Sequence, residues 1–209
     1  ATRSGGISVF FAICVSCAFG LSTGELSIPL YALLSVFFLT MVGLADDLIT
    51  IRYREKIFLQ LFAALLMINA GYTIDSFHGV FYISELPYWA EIIVSLFVFV
   101  VIVNALNLID GLDGMATFIS IKFFLIVGGI VLISNNEWFL FFPIIISALV
   151  GFLWFNFHRT KKVFLGDTGS LFLGGLIAFF IFYILDSESS LVTDSLISKP
   201  LLAVLLLLY

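Results

Sequence analysis

Charge is what this chain has least of. Only 11% of its 209 residues are Asp, Glu, Lys or Arg, against about a quarter in a soluble domain. That is too little to coat a water-facing surface, and an ordinary soluble fold is excluded. Cysteine is nearly absent as well. Cys14 and Cys17 form one C-x-x-C inside an apolar run, with no second pair and no histidine nearby. A disulfide framework or a zinc site needs more ligands, so the pair reads as two small residues of a membrane helix. The two histidines, His78 and His158, each stand alone in a loop, a surface placement rather than a catalytic one. Fourteen acidic residues outnumber nine basic ones, for a net charge of −5, which argues against nucleic acid as a partner. Internal repeats, low-complexity linkers and the alternating ten-residue pattern of a membrane β-barrel are also missing.

What is present is apolar. Hydrophobic residues make up 62% of the chain, 25 of them phenylalanine, and the mean hydropathy is +1.22. Runs of spanning length fall at 7–23, 28–45, 57–74, 89–109, 115–134, 138–156 and 169–186, and another begins near 199. A bilayer takes roughly 20 residues to cross. Backbone groups in lipid must be satisfied within the segment, so these runs are helices. The fold class is therefore all-α: a polytopic transmembrane bundle of seven complete spans and part of an eighth. The first run lacks a small-residue cleavage site and reads as a permanent span. The chain begins at Ala1 without a Met and stops within "KPLLAVLLLLY". The expectation is a single integral-membrane domain over 1–209, truncated at both ends and inactive alone.

Lys and Arg set the orientation. Arg3, Arg52, Arg54, Lys56, Arg159, Lys161 and Lys162 fall in segments that the span count puts on one side, taken as cytosolic. The other side carries Glu25, Asp75, Glu85, Glu91, Glu137, Asp186, Glu188 and Asp194, with Lys199 its sole basic residue. Lys122 lies within a span and reads as structural. The longest outer connection, 75–88, has the alternation of a short hairpin.

Three polar clusters stand at the cytosolic membrane boundary. "GLADD", with Asp46 and Asp47, ends the second run; "NALNLIDGLDG" ends the fourth; "FLGDTGS", with Asp167, begins the seventh. Carboxylates near lipid are costly and face a polar cavity, an ion or a partner. Asn104, Asn107, Asp110 and Asp113 recur at every third position. On a helix such steps drift by about 60°, so the first three share one broad face. Gly111 and Gly114 then let the chain leave the helix. Amide oxygens beside carboxylates suit a hard cation such as Mg²⁺, with Mn²⁺ as an alternative, which prefers oxygen ligands and a bound phosphate. The adjacent carboxylates of Asp46 and Asp47 resist joint ionisation, and a bound cation or a lysine relieves them. In "GDTGS" the first N–H groups of the helix can hold phosphate oxygens, or be capped by Asp167 or Thr168. A transporter would place its carboxylates near the midplane on broken helices; here they sit at span ends, on one face.

In this order and on this face, "GLADD", "NALNLIDGLDGM" and "FLWFN…KKVFLGDTGSLFLGG" resemble signatures of the polyprenyl-phosphate N-acetylhexosamine-1-phosphate transferases, glycosyl transferase family 4. "TRSGGI" is similar to the end of the family's Pro-Arg-x-Gly-Gly element, with Thr2 in place of the proline. The resemblance implies transfer of a sugar 1-phosphate from a UDP-amino sugar to a membrane polyprenyl phosphate, with release of UMP. It implies Asp167 and Asn107 as metal ligands, Asp46 and Asp47 as the catalytic aspartates, and Asn104, Asp110 and Asp113 as substrate-binding residues. Arg159, Lys161 and Lys162 are its candidates for diphosphate contacts. It further implies a bacterial plasma-membrane location with the site facing the cytosol, and a homodimer. "HRTKK" at 158–162 resembles the N-acetylglucosamine branch, and "NALNLIDG" departs from the Asn-Leu-Thr-Asp-Gly form of the muramyl-pentapeptide branch. A UDP-N-acetylhexosamine donor is expected, with N-acetylglucosamine first. The family's His-x-His-His loop would lie beyond Tyr209.

Overall fold

The structure, a computed structural model, describes residues 4–22, 30–77, 85–133, 137–158, 160 and 162–185. The hairpin expected within 75–88, the run near 199, and the site candidates Arg159 and Lys161 lie largely or wholly outside these residues. Among the described residues, seven α-helices follow one another: α1 (Gly5–Ser22), α2 (Leu30–Ile49), α3 (Tyr53–Asn69), α4 (Tyr88–Ile109), α5 (Met115–Ile133), α6 (Phe141–Asn156) and α7 (Gly166–Leu185). A short 3-10 turn, Glu137–Leu140, leads into α6. Each helix coincides with one expected span. Four of them, α2, α4, α5 and α7, are long and apolar enough to cross a membrane.

Lipid explains which face each helix presents. Phe58 is 79% exposed, Phe97 69% and Val15 68%, a distribution that only a bilayer makes favourable on this scale. The exception is α7, apolar on all sides and buried along nearly its whole length. A helix of that kind belongs in the centre, and α2, α4, α1 and α5 pack around it. At the end opposite the polar clusters, Trp138, Phe141, Phe142, Phe179 and Phe180 form an aromatic group of edge-to-face and tilted pairs, with Phe142 and Phe180 centroids 4.9 Å apart. Cys14 and Cys17 line an apolar cavity of about 450 Å³ between α1, α2, α6 and α7. Both are free thiols, Cys14 half-buried and Cys17 buried.

Alternation of direction puts the starts of α1, α3, α5 and α7 and the ends of α2, α4 and α6 at one end of the bundle. All three polar clusters are there. Gly43 and Gly6 bring α2 and α1 onto the first turn of α7: a Cβ on Gly43 would lie 2.4 Å from the Asp167 carbonyl oxygen, and one on Gly6 would lie 2.2 Å from the Gly169 nitrogen. Gly6 N–H also donates to the Leu165 carbonyl at 2.8 Å. The glycines of "SGGI" thus tie α1 to the loop that feeds α7.

Candidate active site

The first turn of α7 is held by a side chain from another helix. Asp47, near the end of α2, accepts the Asp167 N–H on Oδ1 at 3.0 Å and the Thr168 N–H on Oδ2 at 2.8 Å. The Thr168 hydroxyl donates to the same Oδ2 at 2.6 Å. These N–H groups have no partner within α7, and a carboxylate is the favoured partner at a helix start. The sequence suggests a cap from Asp167 or Thr168, or a cradle for phosphate. In the fold, two of these donors are already taken by Asp47, because Gly43, one turn earlier, lets α2 approach α7 closely enough. Gly166, at φ +74°, turns the chain into the helix.

With its amide tied to Asp47, Asp167 turns its carboxylate toward α3 and α4. Lys56 Nζ lies 3.0 Å from Asp167 Oδ1, 2.6 Å from Asp46 Oδ2 and 3.4 Å from Asn107 Oδ1. Asn107 Nδ2 donates to Asp167 Oδ1 and, at 2.8 Å, to Ser170 Oγ. The other oxygen of Asp46 accepts the Ile51 N–H at 2.6 Å and so closes the α2–α3 turn. That turn holds Thr50 at φ +50°, a costly conformation for a β-branched residue. Four helices thus place two carboxylates, an amide oxygen and an ammonium within one contact shell.

Lys56 was legible in the sequence only as one of several topology-setting basic residues. Its neighbours Arg52, Arg54 and Glu55 are exposed, whereas Lys56 is 8% exposed. Gln60, one turn further along α3, and Ser170 are further site members that residue type alone did not single out. The signal available was the i, i+4 spacing of Lys56 and Gln60, which puts both on one face.

Asn104 meets Gln60 in a reciprocal amide pair, donating to Gln60 Oε1 at 2.6 Å and receiving Gln60 Nε2 at 3.4 Å. It also donates to the Val100 carbonyl. Asn104 therefore joins α3 to α4 directly beneath the polar cluster. Asp110 caps the end of α4, and the Gly166 N–H faces its carboxylate. Burial first, then the nearby Asp167 and Asp47 charges, push the Asp110 carboxyl up to about 7. Gly114, at φ +69°, completes the exit from the helix. Asp113, exposed in that turn, is ion-paired with Lys162, whose ammonium also stands 5.1 Å from the Phe164 ring centroid. Lys122 is exposed on α5.

The expected residues therefore sort into a buried centre and a rim. Asp46, Asn107 and Asp167 meet at Lys56; Asp47 supports them; Asn104 lies deeper; Asp110 is half-buried beside Gly166, and Asp113 and Lys162 pair at the rim. Among the described residues, no three His, Cys, Asp or Glu side chains form a metal cage. The oxygens of Asp46, Asp167 and Asn107 nevertheless converge on one cationic point, an all-oxygen set that suits a hard ion completed by phosphate and water rather than by protein alone.

Residues 29–185 match the family model described as glycosyl transferase family 4. The chain is 33% identical over 187 residues to the probable undecaprenyl-phosphate N-acetylglucosaminyl 1-phosphate transferase of Bacillus subtilis (strain 168), covering 82% of this chain and 48% of that protein. It is 38% identical over 160 residues to the phospho-N-acetylmuramoyl-pentapeptide-transferase of Dictyoglomus turgidum, covering 69% of this chain and 49% of that protein. The corresponding protein of Sulfurimonas denitrificans is 31% identical over 205 residues, 84% of this chain and 58% of its own length. The chain spans about half the length of these curated relatives.

Proposed function

This chain belongs to glycosyl transferase family 4, and from that premise we propose that the protein moves N-acetylglucosamine 1-phosphate from its UDP-sugar to undecaprenyl phosphate. An oxygen of the acceptor phosphate attacks the sugar-bearing phosphorus of the donor. A new P–O–P bond forms, the P–O–P bond to the nucleoside phosphate breaks, and UMP leaves. One phosphoanhydride replaces another, so the exchange is nearly balanced and needs no added energy source. The observation that carries the reading is the convergence of Asp46, Lys56, Asn107 and Asp167 at the membrane boundary. One substrate is a lipid and the other a soluble anion, and they can meet only there.

The acceptor phosphate is already an oxyanion near neutral pH, its second pKa being about 6, so attack needs no strong base. Asp167 and Asn107 would hold Mg²⁺, or Mn²⁺ in its place, and a bound ion would neutralise the charge of the two phosphates as they approach. Asp46 stands on the acceptor side, while Asp47 holds the α7 turn that carries Asp167. Asp110 and Asp113 face the nucleotide-sugar, and Arg159, Lys161 and Lys162 meet its diphosphate. A homodimer in the bacterial plasma membrane, with this end toward the cytosol, completes the reading.

A second donor is favoured by the names of the relatives: phospho-N-acetylmuramoyl-pentapeptide is the group named in the Dictyoglomus protein, and its UDP-linked form would be the donor here. Membranes carrying the protein at full genomic length, given tritiated UDP-N-acetylglucosamine, polyprenyl phosphate and Mg²⁺, decide between them. Lipid-borne label that needs Mg²⁺ and vanishes in Asp167→Asn supports the reading. Label only with the muramyl-pentapeptide donor moves the specificity. Silence with every donor leaves a non-catalytic membrane scaffold.

A further inference from the structure

Lys56 and a divalent cation would want the same place. The Lys56 ammonium stands 2.6 Å from Asp46 Oδ2, 3.0 Å from Asp167 Oδ1 and 3.4 Å from Asn107 Oδ1, and these are the oxygens that converge on one cationic point. We propose that Lys56 is a built-in counter-cation, which holds the ion's position while the site is empty and yields it when the metal arrives with phosphate. The proposal rests on the metal-dependent reading of the site given above.

Three observations support it. Lys56 is buried while Arg52, Arg54 and Glu55 beside it are exposed, so the ammonium is drawn inward rather than left in the basic loop. Two carboxylates from different helices, α2 and α7, face each other across it. Without a cation between them they would repel in a poorly solvated setting, and the helix ends carrying them would separate. Lysine rather than arginine fills the place. Its charge is a compact point on a flexible four-carbon stem, so it can withdraw toward an incoming phosphate without moving α3. A magnesium ion draws its oxygens to about 2.0–2.1 Å, leaving no room for an ammonium at the same point. The exchange is of one cation for another, with Lys56 passing from the carboxylates to a phosphate oxygen.

The arrangement makes a prediction opposite in sign to that for a merely structural ion pair. The test uses the protein at full genomic length in detergent, without substrates, with Mn²⁺ alone as probe and its free signal followed by electron paramagnetic resonance. Lys56→Met should bind Mn²⁺ about tenfold more tightly than the parent, or tighter still, because a competing positive charge has gone. Lys56→Arg should not gain affinity. Lys56→Gln repeats the test should the methionine variant fail to stay dispersed on gel filtration. Unchanged or weaker Mn²⁺ binding in well-folded Lys56→Met or Lys56→Gln overturns the proposal, as does absence of Mn²⁺ binding in every form. Label transfer by the parent is read separately: tighter Mn²⁺ binding in the variant with no transfer by the parent would remove the proposed reaction and leave the cation exchange standing.

Discussion

Asp47 offers the sharpest separation between chemistry and support. Its carboxylate receives three hydrogen bonds from the first turn of α7, at 3.0, 2.8 and 2.6 Å. In Asp47→Asn the remaining oxygen can keep Thr168, but the amide N–H₂ then faces the Asp167 N–H. One hydrogen bond to a charged group is lost and one donor is left unmet, about 2–3 kcal/mol together. Asp47→Ala removes all three bonds and the cap, about 3–5 kcal/mol. In soluble domains of about this size each kcal/mol moves the melting temperature by about 2–4 °C. The asparagine variant should therefore melt several degrees lower in detergent and the alanine variant lower still. Turnover, assayed well below either melting temperature, should fall in the same order, because Asp167 loses its anchor in the same steps. If Asp47→Asn melted with the parent and yet transferred no label, the support reading would fail and Asp47 would be acting on substrate directly.

Asn104→Leu leaves the Gln60 amide without its partner between α3 and α4, and Gln60→Leu leaves the Asn104 amide only its bond to the Val100 carbonyl; each should cost about 1–3 kcal/mol, seen as lower thermal stability. The double leucine variant should lose clearly less than the sum, since neither amide is then stranded. Gly43→Ala places a methyl against the Asp167 carbonyl and should abolish turnover with loss of stability, whereas Gly129→Ala, with nothing within 4 Å, should leave both intact. Thr50→Gly relieves a residue held at φ +50° and should raise the melting temperature, by about 1 kcal/mol of stability. Asp110 binds its proton more tightly in the fold, about 7, than in the unfolded chain, about 3.9. Its contribution is fully present below about pH 4 and is lost as pH rises through 7. Asp110→Asn should accordingly raise the melting temperature relative to the parent at pH 8 more than at pH 4, as read from melts at the two values.

Much of this molecule was legible before any contact was known. Span length is imposed by the bilayer, so the seven described helices fall where the apolar runs do. Alternation along the chain then puts "GLADD", "NALNLIDGLDG" and "GDTGS" at one end without knowledge of the packing. The cost of carboxylates beside lipid marks Asp46, Asp47, Asp110, Asp113 and Asp167 as residues with partners.

Who the partners are was decided by the tertiary structure alone. The helices are apolar on nearly every side, so no periodicity says which face of α3 meets α4 or which helix is central; the burial of α7 follows from its neighbours. Gly43 sets how near α2 comes to α7, and that distance makes Asp47 a cap for another helix rather than a free carboxylate. The same packing turns Lys56 inward and leaves Arg54 in water, although the two differ little as sequence. Composition and run length determine where a membrane chain folds and which end carries its polar groups. Close packing between helices determines which of those groups touch, because side-chain reach is only a few ångströms and the rotation of each helix is set by what it packs against.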